Sequence, residues 1–86
     1  MKKILLSTPA RRQYNTLDGS TKERIKDVLT RVARGGKPDI KKLKGIKGRE
    51  DLYRLRMGDY RIIYHENAEC IKVIQIIHRS KGYDWL

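Results

Sequence analysis

The hydrophobic period of this chain changes once, and that change dictates its fold class. Ile25, Val28, Leu29 and Val32 recur at i, i+3, i+4 and i+7, the stripe of an amphipathic helix that stops at Gly35-Gly36. Past residue 50 the period is two. Leu52 to Met57 and Tyr60 to His65 are β-rich runs separated by Gly58-Asp59, which reads as a two-residue hairpin turn. Ile71 to Ile77 is a third run, continuous enough for a central, buried strand. Ahead of the helix, Lys3 to Leu6 reads as a short strand. Thr8 is then the expected N-cap of a short helix, with Pro9 at its first position and Ala10, Tyr14 and Leu17 turned to the core. That helix ends near Asp18-Gly19, and Ser20 with Glu23 three residues later has the pattern of a capping box for the next one. The order predicts an α+β fold: an N-terminal strand, a two-helix hairpin, then a three-stranded antiparallel meander forming one sheet packed against the helices. With 86 residues, the chain supports a single domain over 1–86.

Between the two periods lies a different kind of sequence. Lys41, Lys42, Lys44, Lys47 and Arg49 follow one another with no acid between them, and Pro38, Gly45 and Gly48 argue for a loop or irregular edge. The whole chain carries 21 Lys and Arg against 10 Asp and Glu, a formal +11. Neutralising phosphates would relieve that self-repulsion and release condensed counterions, so a nucleic acid is the expected partner. A membrane surface fits less well, because that role needs a basic amphipathic helix with bulky aromatics. No apolar run approaches the roughly 20 residues of a membrane span. The N-terminal apolar stretch is also short of the about 7–15 residues of a signal peptide. The single cysteine, Cys70, excludes an internal disulfide and suits the cytoplasm.

The hairpin assigns side chains to faces. With Gly58 and Asp59 as the turn, Met57 opposes Tyr60, Arg56 opposes Arg61, Leu55 opposes Ile62 and Arg54 opposes Ile63. Alternation sends Tyr53, Leu55, Met57, Tyr60, Ile62 and Tyr64 to one face and gathers Arg54, Arg56 and Arg61 on the other. Directly opposed arginines repel, which costs stability unless an anion sits between them. The plainer alternative is that the long side chains splay into water over apolar surface. A cluster of guanidiniums is suited to phosphate, which it grips through paired N–H donors, and to the extra charge of a phosphoryl transition state. RNA brings its own nucleophile, the 2′-hydroxyl, so orienting that group is enough to cleave it. No cofactor is expected: the two histidines and the cysteine show no metal-ligand spacing, and no Walker-type loop is present.

These residues also carry a resemblance. Lys42-Leu43-Lys44-Gly45, the run Leu52-Tyr53-Arg54-Leu55-Arg56-Met57-Gly58-Asp59-Tyr60-Arg61-Ile62-Ile63-Tyr64, and His78-Arg79 with Tyr83 four residues on resemble the RelE branch of the RelE/ParE toxins. The resemblance spans nearly the whole chain, and the hairpin is its most specific part. It implies the toxin of a toxin–antitoxin pair that cuts messenger RNA on the ribosome and is neutralised by a cognate acidic, RelB-like antitoxin. It implies that Arg61 and Arg79 contact the scissile phosphate, and that Tyr83 stacks on or helps activate the substrate. Arg54 and Arg56 stand where members of the family often have lysines, one a proposed proton-transfer residue. An arginine does not accept a proton near neutrality, so at Arg56 the base must come from elsewhere or the cation acts by charge alone. His78 is the candidate to fill that gap, against a simply solvated strand-end histidine. Asp39, in Gly36-Lys37-Pro38-Asp39, is another, against an ordinary turn residue. Lys41, Lys42, Lys44 and Lys47 are candidate RNA-binding residues, and Tyr83 and Trp85 either stack on bases or anchor the tail. Two other readings remain open: a non-enzymatic ParE-like inhibitor of DNA gyrase, and a plain RNA- or DNA-binding module.

Overall fold

Residues 1–43 and 52–81 are described by the structure, a computed structural model. The elements run β1 (Lys3–Leu6), α1 (Thr8–Asn15), α2 (Gly19–Ala33), β2 (Ile40–Lys42), β3 (Leu52–Met57), β4 (Tyr60–Glu66) and β5 (Cys70–His78), closing with a 3-10 turn at Arg79–Lys81. All five strands form one sheet in the order β1-β5-β4-β3-β2. β1 lies parallel to β5, and the other neighbours are antiparallel. The α+β architecture is the expected one, with β2 as an addition. Ile40–Lys42, expected within a loop, pairs with β3, Ile40 opposite Leu55. Ile40 is half-buried against the core and pins that edge, but three residues are too few to display a period. The rest of the basic stretch, including Lys44 and Lys47, lies outside the described residues.

Both helix starts differ from expectation by one or two residues. Ser7, not Thr8, caps α1: its backbone is extended and its Oγ accepts the Ala10 N–H at 3.2 Å. The same hydroxyl donates to the Ile74 carbonyl at 2.8 Å, so one serine both caps the helix and ties it to β5. Asp18, not Ser20, caps α2, its Oδ1 accepting the Thr21 N–H at 2.7 Å. A carboxylate at the positive end of a helix is a stronger acceptor than a hydroxyl, so the earlier residue wins. The Thr21 backbone N–H in turn holds the Asp18 carboxyl below its ordinary pKa. The C-terminus of α2 follows expectation. Gly35, at φ 91°, donates to the Val32 carbonyl at 2.9 Å, and Gly36 donates to the Arg31 carbonyl at 2.8 Å, closing the last turn.

The core lies between the helices and one sheet face. Ile25, Leu29 and Val32 from α2 and Ala10 from α1 meet Leu55, Met57, Ile62, Tyr64, Ile71, Val73 and Ile76. Tyr64 is stacked on Tyr53 with centroids 5.3 Å apart, and burial first, then Glu66 and Tyr53, push its hydroxyl pKa well above the ordinary tyrosine range. The far half of β5 depends on α1. β1 stops pairing at Val73, which would leave the rest of that edge bare. Gln13 takes over: its Oε1 accepts the Ile76 N–H and its Nε2 donates to Gln75 Oε1, each at 2.7 Å. This holds the strand that delivers His78 and Arg79. No helix among the described residues is long and apolar enough to cross a membrane.

Candidate active site

The hairpin register is the one that the turn dictates, with Met57 opposite Tyr60, Arg56 opposite Arg61 and Arg54 opposite Ile63. Gly58, at φ 56°, supplies the left-handed backbone that this tight turn needs. Arg61 in turn opposes Ile77 on β5, so the next turn of chain brings Arg79 alongside. Asp59 secures it. The Arg79 N–H donates to the Asp59 carbonyl at 2.7 Å, and Arg79 Nε lies 3.5 Å from Asp59 Oδ1. Both side chains are largely exposed, so the ion pair itself contributes little. Its consequence is placement: Arg56, Arg61 and Arg79 line one concavity of about 290 Å³ with Gly58, Asp59 and Tyr60. Among the described residues that line it, three are arginines and one, Asp59, is an acid that pairs with Arg79.

The other expected site residues are distributed around this centre. Arg54 shares the arginine face by alternation but does not line the concavity. Its Nε is buried without a hydrogen-bond partner, an arrangement that typically costs about 1–3 kcal/mol. His78 opposes Tyr60, on the other face from Arg61, with the two rings edge to face and 5.2 Å apart. Its Nδ1 lies 2.8 Å from Ser80 Oγ and accepts the Ser80 N–H at 3.2 Å. A backbone N–H only donates, so in the neutral ring the proton sits on Nε2. Asp39 is exposed and contributes through its backbone, its carbonyl accepting the Arg56 N–H at 2.9 Å. Lys41 opposes Arg54 and so belongs to the arginine face, whereas Lys42 opposes Tyr53 on the helix side. Tyr83 and Trp85 lie outside the described residues, as Lys44 and Lys47 do.

Tyr60 has a role that its place on the core face does not announce. Half-buried at the turn, it both walls the concavity and meets His78, a double position that alternation alone does not reveal. Among the described residues no three His, Cys, Asp or Glu side chains gather as a metal would require. The arrangement offers a concentrated, fixed positive charge beside a phenol. It suits an anion with several oxygens.

Known proteins share the sequence and the fold. The family model for the ParE toxin of type II toxin–antitoxin systems matches residues 4–83. Toxin RelE3 of Methanocaldococcus jannaschii is 31% identical, over 96% of this chain and 97% of the relative. A RelB–RelE antitoxin–toxin complex from Methanococcus jannaschii contains a chain that superimposes with a TM-score of 0.72 at 28% identity, covering 95% of this chain and 98% of that one. The archaeal RelE–RelB complex from Pyrococcus horikoshii gives a TM-score of 0.74 at 26% identity, covering 94% and 98%. By these matches, which span nearly all of its length, the chain belongs to the RelE branch of the RelE/ParE toxins of type II toxin–antitoxin systems.

Proposed function

We propose that this toxin is an endoribonuclease that cuts messenger RNA on the ribosome in the cytoplasm, with no metal ion in the reaction. The observation that carries this reading is the meeting of Arg56, Arg61 and Arg79 in one concavity, where Asp59 is the one lining acid among the described residues. In the reaction, the 2′-hydroxyl attacks the adjacent phosphorus and the P–O5′ bond breaks. The products are a 2′,3′-cyclic phosphate and a 5′-hydroxyl, with one proton leaving the nucleophile and one reaching the leaving oxygen. Arg61 and Arg79 hold the non-bridging oxygens and stabilise the charge that grows on them. Arg56 and Arg54 act by charge, since neither guanidinium gives up its proton. Tyr83 stacks on or helps activate the substrate. His78 is the proposed proton-transfer group, acting from the Tyr60 face of the hairpin and not from among the arginines, with Nδ1 turned to Ser80 and the Nε2 N–H available to donate.

A second element of the proposal is a cognate acidic antitoxin of the RelB kind. It draws on the two archaeal relatives, which were crystallised as RelB complexes, and on the +11 charge of this chain. A wrapping segment must bury a large area to offset its own ordering entropy.

A brief pulse of expression followed by mapping of messenger 5′ ends separates the competing activities. New ends inside coding regions should accumulate within the pulse, and co-expression of the antitoxin should suppress them. Altered DNA supercoiling without new ends would instead identify a gyrase inhibitor. Neither effect, with RNA still bound, would identify a binding module.

A further inference from the structure

The arginine face of the sheet continues past the concavity to its far end. On β4, Ile62 and Tyr64 are buried against the helices, so Arg61, Ile63 and His65 stand on the opposite face. On β5, Ile71 and Val73 belong to the core, which puts Lys72 between them on that same face. On β1, Ile4 and Leu6 pack against the core, and Leu5 is left 47% exposed. The register draws three of these residues into one row across neighbouring strands: Leu5 lies opposite Lys72, and Lys72 lies opposite His65. Lys72 is exposed, and no hydrogen bond or ion pair occupies its ammonium among the described residues. A stabilising cross-strand pair would set an acid beside it, but its neighbours are an exposed leucine and a half-buried imidazole. Lysine often guards an edge strand against stray pairing, yet β5 is an interior strand flanked by β1 and β4, so that role does not apply. A cation between an apolar side chain and a flat ring fits a nucleotide. The ammonium takes the phosphate, the imidazole offers the base a stacking partner, and the leucine gives it an apolar shoulder. Charge is continuous as well: between this row and the turn, the β3 and β4 positions of this face are Arg54, Arg56, Arg61 and Ile63, with no acid.

We infer that Leu5, Lys72 and His65 form a second nucleotide subsite, which holds the messenger by one phosphate and one base away from the cut. The inference rests on the proposed RNA-cleaving reading and extends it along the strand. His65 lies four residues along β4 from Arg61, about 13 Å, the reach of roughly two or three nucleotides of an extended strand. A messenger held at the concavity and again at this row is fixed in direction as well as place. None of the three residues touches the reacting phosphate, so the subsite acts on binding and not on the rate at saturation.

The test measures binding apart from cleavage, on programmed ribosomes whose messenger carries 2′-deoxynucleotides throughout the covered stretch and so resists cutting. Lys72→Gln should weaken binding about ten-fold at low salt, the worth of one charge-assisted contact. It should lower the slope of log affinity against log salt by about 0.7. Messengers with one uncharged methylphosphonate linkage each then locate the contact. Wild-type protein should lose the same factor at one linkage, and Lys72→Gln should lose nothing further there. His65→Ala should also weaken binding about ten-fold, His65→Tyr should restore it, and an abasic nucleotide beside that linkage should erase the difference between the two variants. On cleavable messenger the single-turnover rate at saturation should stay within about two-fold for Lys72→Gln. The inference is overturned if Lys72→Gln binds as wild type does, or if its loss is confined to antitoxin affinity. It is overturned too if the loss is the same whichever linkage is neutralised, which would assign Lys72 to ribosomal RNA. Wild-type protein that binds the deoxy messenger but leaves cleavable messenger whole would sink the nuclease reading, while the Lys72 binding result would still stand or fall by itself.

Discussion

Replacing Arg61 by alanine should lower the single-turnover rate of messenger cleavage by about 10²–10³ while leaving ribosome affinity nearly unchanged. That factor is typical of removing one preorganised donor aimed at developing charge. The Arg61 backbone is held from both sides, opposite Arg56 on one strand and Ile77 on the other, so its side chain starts from a fixed point in the sheet. The charge it meets is larger in the transition state than in the bound messenger, and the loss should therefore fall on the rate rather than on binding. Arg61→Lys keeps the charge but not the planar fork, and should recover only part of the activity. A variant whose affinity and rate fall by one common factor would show that Arg61 holds ground and transition states alike, and the electrostatic account would be wrong.

How far the sequence anticipates this site follows from the range of each signal. The hairpin is legible to the residue because Gly58-Asp59 permits one short turn, and a turn of known length sets every pairing beyond it. The far side of the site is not legible, because Ile71 to Ile77 is too apolar for its period to assign a face. The structure explains why. Ile63 pairs with Gln75 and Tyr64 with Val73, so Ile74 is an extra residue, and past it the alternation is reset. That reset turns His78 to the Tyr60 side, away from Arg61, which no reading of spacing could supply. The caps differ from expectation more narrowly: Ser7 and Thr8, and Asp18 and Ser20, compete within two positions, and tertiary contacts such as the Ile74 carbonyl choose between them.

Neutralising Lys41, Lys42, Lys44 and Lys47 together, as glutamines, should weaken ribosome binding steeply and flatten its salt dependence. Every phosphate left without its lysine should lower the slope by about 0.7–0.9, so the effect compounds to several orders of magnitude at low salt if all four engage. The structure refines this for the two lysines of β2. Lys41 shares the face of Arg54, while Lys42 lies opposite Tyr53 in the groove with Tyr64 and Glu66. An RNA strand drawn to the arginine face meets Lys41 first, so Lys41→Gln alone should cost more affinity than Lys42→Gln. The rate at saturation should hold in all of these variants, because none of the four lysines is assigned to the reacting phosphate. An affinity and salt slope unmoved by the fourfold change would remove this stretch from the interface.

The central claim is that this toxin supplies charge and geometry while the translating ribosome presents the messenger and the messenger supplies its own nucleophile. Its most direct test uses purified toxin and one messenger sequence in two states, threaded through translating ribosomes or free in solution. A matched messenger with a single 2′-deoxynucleotide at the mapped cut serves as the control. The account predicts rapid cuts within the translated region on ribosomes, a far slower reaction on the free RNA, and no cut at the deoxynucleotide. Equal rates on the two forms would contradict the dependence on the ribosome, and intact messenger on toxin-bound ribosomes would contradict the claim that this chain cleaves RNA.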